Sequence, residues 1–249
     1  MDIIPHSEAG ADWTYLSQLE QYFLPFDSYT ITRFIEYRLS HKTMAIRKAT
    51  EVFHDWALKG KDEGMEKGHS NAVSEMLEFI FKKAENSQRE FAAIDVGCGN
   101  GWVVRLLNDH PLCSLAEGID GAPAMIEKAK EIDGEGDYSL CQLPEYTPSK
   151  KYDMIHSMEF LYYLEDPQSM LKLFFDNWVA DDGWLVVGID HYLEHEDSLS
   201  WPEHVGVHMT TLSTQEWIEA WKDAGFSNIS NWQAGKKSPG TLVIVGQKK

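Results

Sequence analysis

Ile94-Asp95-Val96-Gly97-Cys98-Gly99-Asn100-Gly101 is a short apolar run that breaks into a glycine turn, and an apolar helical pattern follows from Trp102. Residues 91–96 read as a strand and residues 102–107 as the start of a helix. Glycines at alternate positions let the backbone turn sharply and come close to a ligand, while the helix start behind them supplies unpaired N–H groups. The unit then repeats. Residues 115–119 form a second strand ending at Asp120, and Gly121-Ala122-Pro123 opens a helix with Met125, Ile126 and Ala129 on one face. Strand and helix in alternation are the signature of a parallel sheet with crossover helices.

The alternation continues through a weak strand at 138–140, a clearer one at 152–157, a helix opened by Asp166-Pro167 and a central strand at 185–189. Ser213-Thr214-Gln215-Glu216 is a capping box for a helix that closes at Gly225, and residues 226–232 and 241–245 form a closing hairpin. Ahead of the first strand the period is helical, with Trp13, Leu16, Leu19, Tyr22 and Phe23 in one stripe and further stripes at 31–39 and 45–57. Gly60, Gly64 and Gly68 predict a loop over 60–69, with Ser70 as N-cap of a helix carrying Val73, Met76, Leu77, Ile80 and Phe81. The expected organisation is a helical cap and substrate region over 1–88 and a core over 89–249, interrupted by a long insertion at 190–212.

With 22 Lys+Arg against 40 Asp+Glu, the net charge of −18 disfavours a broad nucleic-acid or anionic-membrane surface, since both need a positive field. Cys98, Cys113 and Cys141 are too few for a disulfide scaffold and too scattered for a zinc ribbon. No stretch approaches the apolar length of a membrane span, and the first residues lack the pattern of a signal peptide. The expectation is a cytoplasmic protein, monomer or homodimer, with a small-molecule partner, no nucleic acid and no membrane.

The turn lacks the third glycine of the dinucleotide fingerprint, for Trp102 stands there, and Asp95 places a carboxylate at the strand end. Both features disfavour a pyrophosphate and hence an NAD-dependent oxidoreductase. Asp120 can accept both hydroxyls of a ribose, whichever nucleoside carries it; its alternative role is helix capping ahead of Pro123.

Residues 91–190 resemble the class I S-adenosylmethionine-dependent methyltransferases. IDVGCGNGW is similar to their first motif and AEGIDGAPAMIEKAK to the second-strand motif. The stretch from Cys141-Gln142-Leu143-Pro144 to Asp166-Pro167 is similar to their adenine-side loop and fourth strand. The resemblance implies an α/β Rossmann-like fold, with a seven-stranded, mostly parallel sheet, an antiparallel last strand and an N-terminal helical cap. It further implies that Asp95, Gly97, Cys98, Gly99 and Gly101 line the methionine part of S-adenosylmethionine, with Asp120 and Gly121 at the ribose and Met125 near the sugar or base. Cys141, Gln142 and Leu143 would edge the adenine, and Ser157, Met158 and Glu159 would lie under the sulfonium. The family often has an acidic residue where Cys141 stands. The activity implied is methyl transfer to a small-molecule N or O acceptor, and the rival of a different class is a catalytically silent cofactor-binding scaffold.

For the acceptor, histidine is the natural base. Of ten histidines, His191, His195, His204 and His208 lie in the insertion. His191 follows the central strand and His208 lies near the insertion's return, which makes them the candidate catalytic pair. Tyr15, Tyr22, His69, Tyr162, Tyr163, Trp201 and His204 are the candidate substrate wall, because ring faces attract alkylated ammonium groups. Pro202 interrupts any helix that would align the histidines at metal-ligand spacing, so no metal is expected.

Overall fold

The computed structural model describes residues 46–236 and 238–249, and these described residues belong to one compact unit. The expected helical stripes between residues 13 and 39, with Tyr15 and Tyr22, lie outside the described residues. Among the described residues two helices, α1 (Ala49–Leu58) and α2 (Asp62–Ser87), precede the first strand. The strands are β1 (Phe91–Val96), β2 (Cys113–Asp120), β3 (Asp137–Leu140), β4 (Tyr152–Met158), β5 (Val179–Ile189), β6 (Ser227–Ala234) and β7 (Thr241–Gln247). Between them run α3 (Trp102–Asn108), α4 (Pro123–Ile132), α5 (Pro167–Leu173), α6 (Trp201–Val205) and α7 (Thr214–Ala224).

The strand order is β3-β2-β1-β4-β5-β7-β6, parallel from β3 to β5, with β7 antiparallel to both of its neighbours. This is the expected sheet, and the closing hairpin is β6 and β7. Period-2 alternation divides the core between the two faces. Ile94, Ile155, Val187 and Ile244 pack on one side with Met170, Leu171, Trp217 and Trp221 from α5 and α7. Ala93, Met154, Val186 and Val243 pack on the other with Met76, Ile80, Val104, Leu107 and Ile126 from α2, α3 and α4. Because both faces are covered by helices, the central strands are apolar runs, and a polar side chain within them needs a partner.

One expected loop is helix. Residues 62–69 belong to α2, which runs unbroken through Gly64 and Gly68, and Ser70 does not cap it: its hydroxyl donates to Lys67 O at 3.0 Å. Each glycine costs a helix about 1 kcal/mol relative to alanine. The buried stripe of Ala72, Val73, Met76, Leu77, Ile80 and Ala84 offsets that cost, and Asp62 and Glu63 in the first turn complement the helix dipole. Continuity of α2 carries His69 rigidly toward the carboxyl end of the sheet. β5 is also longer than expected, starting at Val179 instead of residue 185. The 190–212 insertion is a 3-10 turn (Glu196–Ser200) followed by α6, and it is tied back to the start of α1 by Arg47 N donating to Gly206 O at 2.9 Å.

Candidate active site

The strand order reverses direction at β1, with β2 and β3 on one side and β4 and β5 on the other, and such a switch point opens a crevice at the carboxyl ends of the strands. The glycine turn fills its base. Gly97 and Gly101 both have φ of 79°, in the left-handed region. A Cβ at Gly97 would lie 3.3 Å from Phe160 Cβ, and one at Gly101 would lie 2.4 Å from the Tyr138 ring, so the turn admits no side chain at either place. Gly97 N and Cys98 N donate to Ile119 O at 2.9 and 3.0 Å, which fastens the turn to the end of β2. A cavity of about 610 Å³ opens above it, of a size suited to a small ligand.

Asp120, half-buried at the end of β2, faces this cavity. Its Oδ2 accepts from Gly99 N at 3.0 Å and its Oδ1 from Ala122 N at 2.7 Å. A carboxylate has about four lone-pair sites, so each oxygen keeps one for a ligand hydroxyl. The helix-capping alternative is not met, because the N-cap of α4 is Ala122. Burial pushes the Asp120 carboxyl up to about 6, against the pull of the Ala122 and Gly99 N–H groups. Ribose hydroxyls donate to the ionised form. Affinity for a ribose-bearing ligand is therefore expected to fall as pH drops through about 6, approaching tenfold per pH unit below it, as read by titration calorimetry. In the free protein the sign is opposite: native Asp120 takes up a proton before the unfolded chain does, so its contribution to stability rises as pH falls from about 6 toward the ordinary value of 3.8. Affinity that is flat across this window would exclude the ribose contact.

Two further polar side chains lie in the sheet below the turn. Asp95 on β1 and His156 on β4 are register partners, 2 % and 1 % exposed, and both line the cavity. Asp95 Oδ1 is 2.7 Å from His156 Nδ1, while His156 Nε2 is buried without a hydrogen-bond partner. Ser157, next along β4, faces elsewhere: its hydroxyl donates to Val96 O at 2.8 Å.

At the other end of the cavity, Glu159 follows β4 with φ of 59°. Its carboxylate accepts from Tyr162 Oη and from Asp190 N, the latter at 3.0 Å. Burial and then the neighbouring Asp190 charge push the Glu159 carboxyl well above the usual range. His69 Nε2 lies 3.6 Å from Asp190 Oδ2. One ligand atom each from His69, Glu159 and Asp190 lie within 4.8 Å of one another, a group that can hold a metal ion or a cationic nitrogen. Phe53 and Tyr163 stand edge to face at 5.2 Å and add an aromatic wall.

The cavity thus brings together Asp95, Gly97, Cys98, Gly99, Asp120, Gly121 and Met125 from the first half of the expected set. From the second half it includes Cys141, Gln142, Leu143, Met158 and Glu159, together with His69, Tyr163 and His208. Gly101 and Ser157 support it from behind. Tyr162 is fully buried and meets the cavity wall through Glu159 and Tyr163, its hydroxyl hydrogen-bonded to both. His191 is held inside the insertion, 0 % exposed, with Nδ1 3.0 Å from Ser198 O and Nε2 2.7 Å from Thr211 Oγ1. With both ring nitrogens occupied and its pKa lowered by burial, it is built as a structural link and stands outside the cavity wall. Trp201 packs against His195 at 5.6 Å, and His204 is exposed on α6; neither lines the cavity. His208 lines it, with Nε2 2.9 Å from Thr210 Oγ1.

Residues 65–231 match the family described as methyltransferase domain. A trans-aconitate 2-methyltransferase of Agrobacterium fabrum is 26% identical over 137 residues, which is 55% of this chain and 49% of that one. A malonyl-[acyl-carrier protein] O-methyltransferase of Anoxybacillus flavithermus is 37% identical over 108 residues, 42% of this chain and 40% of that one. The chain thus spans about half the length, or less, of these curated relatives. Among solved structures, a chain of the Haloferax volcanii complex between the Trm112 methyltransferase activator and a methyltransferase superposes with a TM-score of 0.68 at 24% identity, covering 82% of this chain and 99% of that one. The N-methyltransferase NodS of Bradyrhizobium japonicum, solved with S-adenosyl-L-homocysteine, gives 0.50 at 18%, covering 68% and 84%. These two likenesses concern the fold.

Proposed function

The chain belongs to the methyltransferase-domain family, and on that premise we propose that it transfers a methyl group from S-adenosylmethionine to a small-molecule nitrogen or oxygen acceptor. The observation that carries this reading is one cavity lined both by a nucleoside-type wall, Asp120 with the glycine turn, and by a separate polar cluster at Glu159 and His69. A protein that only held a cofactor would have no use for the second group. A nicotinamide dinucleotide is disfavoured because Trp102, in place of a third glycine, lines the cavity.

The residues fit S-adenosylmethionine. Asp120 keeps lone pairs for the ribose, Met125, Cys141 and Leu143 offer a largely apolar edge for the base, and Gly99 in the turn faces open space, where an added Cβ would meet only Met125 Sδ, at 3.9 Å. When bound, the cofactor supplies an activated methyl on sulfur. The chain's own part is to orient the acceptor in line, exclude water and take up a proton. Phe53 from α1 and His69 from α2 stand on the acceptor side of the cavity, which supports a cap role for residues 46–88, the described part of the expected 1–88 region, beside a core of 89–249.

Glu159 and Asp190 set the acceptor's character. Two adjacent carboxyl groups repel an anion and attract a cation, and the Phe53 and Tyr163 rings favour alkylated ammonium. Nitrogen is therefore the preferred acceptor atom. Glu159, raised in basicity by burial, is better matched to an amine proton than an ordinary carboxylate is. Among the described residues no helix is long and apolar enough to cross a membrane, and the −18 charge disfavours nucleic-acid partners; a cytoplasmic monomer or homodimer remains part of the proposal. The test is a turnover screen of small amines, alcohols and carboxylic acids with S-adenosylmethionine, read by mass spectrometry of both products. Methylation of an amine is the expected result. Methylation of carboxylic acids alone would overturn the nitrogen preference, and cofactor binding without turnover across the panel would favour the silent scaffold.

A further inference from the structure

We infer that Asn100, inside the glycine turn, is a positioning residue: it clasps the start of α2 to the turn, so that filling the methyl-donor site also fixes His69 at the acceptor end. The inference rests on the proposed function and goes beyond it. Asn100 is 3 % exposed, and its amide nitrogen donates to Asp62 Oδ2 at 3.0 Å and to Glu66 Oε2 at 3.2 Å. Its amide oxygen accepts from Trp102 N at 3.2 Å. A backbone N–H can only donate, so this last contact fixes which end of the amide faces the two carboxyl groups. Asp62 in turn accepts from Lys128 Nζ of α4 at 2.8 Å.

The first two turns of α2 have little else to hold them. Residues 62–69 include Gly64 and Gly68, Asp62 is the one buried side chain among them, and the buried apolar stripe begins only at Ala72. Two interior glycines weaken this stretch, and its own side chains supply no packed apolar face to offset them. Its anchor is polar: Asp62, 4 % exposed, is held between Asn100 of the turn and Lys128. A buried carboxyl group of this kind is stable only while its partners stay in place, which ties the stretch to the turn. Asn100 is flanked by Gly99 and Gly101, with φ of 54° and 79°, and that backbone sets both the surface the turn gives to the cavity and the direction of the Asn100 side chain. His69 stands at the far end, about 10 Å along the helix from Asp62, with Nε2 3.6 Å from Asp190 Oδ2. Asp62, Met65, Glu66 and His69 all line the cavity, so one helix face runs from the turn to the acceptor cluster. A ligand that immobilises the turn thereby restrains residues 62–69 as well.

Hydrogen exchange read by mass spectrometry tests the coupling in the wild-type protein. S-adenosylhomocysteine at about 100 times its Kd is expected to slow exchange of the amides of residues 65–69 roughly tenfold, within the about 100-fold that complete coupling to binding allows. A clasp that was only structural would protect these amides equally with and without the ligand. In Asn100→Asp an oxygen still accepts from Trp102 N, but the group facing Asp62 and Glu66 becomes an acceptor of like charge. With that variant saturated by S-adenosylhomocysteine, as judged by calorimetry, the turn is expected to stay protected while exchange at 65–69 no longer responds to the ligand. Slowing confined to the turn in wild-type protein would overturn the assignment, whether or not the variant folds. So would a folded variant whose 65–69 amides respond as those of the wild type do. Wild-type protein that bound no S-adenosylhomocysteine would overturn the proposed function, and this coupling with it.

Discussion

Glu159→Gln is expected to lower the single-turnover rate of methyl transfer about 10²- to 10⁴-fold, the span usual for loss of a general base, while the Kd for S-adenosylhomocysteine changes little. Gln preserves the shape of the site. Its carbonyl oxygen can still accept from Tyr162 or from Asp190 N, contacts that hold Glu159 in place now. What disappears is a proton acceptor whose basicity burial and Asp190 have raised. His208→Asn is the matched comparison, since His208 also lines the cavity. A full rate in Glu159→Gln with a large loss in His208→Asn would move the base to His208. A full rate in both would leave proton removal to water or to the acceptor's own state of charge.

Asp120→Ala is expected to weaken S-adenosylhomocysteine binding about 10- to 150-fold, because two ribose hydroxyls lose a charged acceptor, a loss of roughly 1.5 to 3 kcal/mol. The same change frees Gly99 N and Ala122 N, which Asp120 now satisfies, so some loss of thermal stability accompanies it. Affinity is the quantity that decides. An unchanged Kd in a folded variant would remove Asp120 from the ligand site and leave it as a fastener between the turn and α4.

Much of this was legible in the sequence, for a physical reason. β1, the glycine turn, α3 and the Asp120 strand end are local patterns, in which strand period, turn geometry and helix start each occupy neighbouring residues. The capping box at Ser213 is equally local, and both of its bonds are present. The failures were non-local. Gly60, Gly64 and Gly68 read as a loop, yet packing of α2 on the sheet outweighs the cost of two interior glycines. His191 was attractive by position, but the fold encloses it between Ser198 and Thr211, partners that become neighbours only once the insertion has turned back. His156 stands within an apolar strand, where a histidine by itself signals a buried partner without saying which. That partner, Asp95, is 61 residues away and becomes adjacent only through the β1–β4 pairing. The meeting of His69, Glu159 and Asp190 from one helix and two strand ends was beyond any local pattern.

A cavity that holds S-adenosylmethionine for methyl transfer binds the donor and its demethylated product but not a dinucleotide, which titration calorimetry of the protein with S-adenosylmethionine, S-adenosylhomocysteine and NAD in parallel resolves. Saturable binding of the first two with one site per chain and no binding of NAD is the expected result; tight binding of NAD with no response to either sulfur nucleoside would overturn the assignment of this cavity.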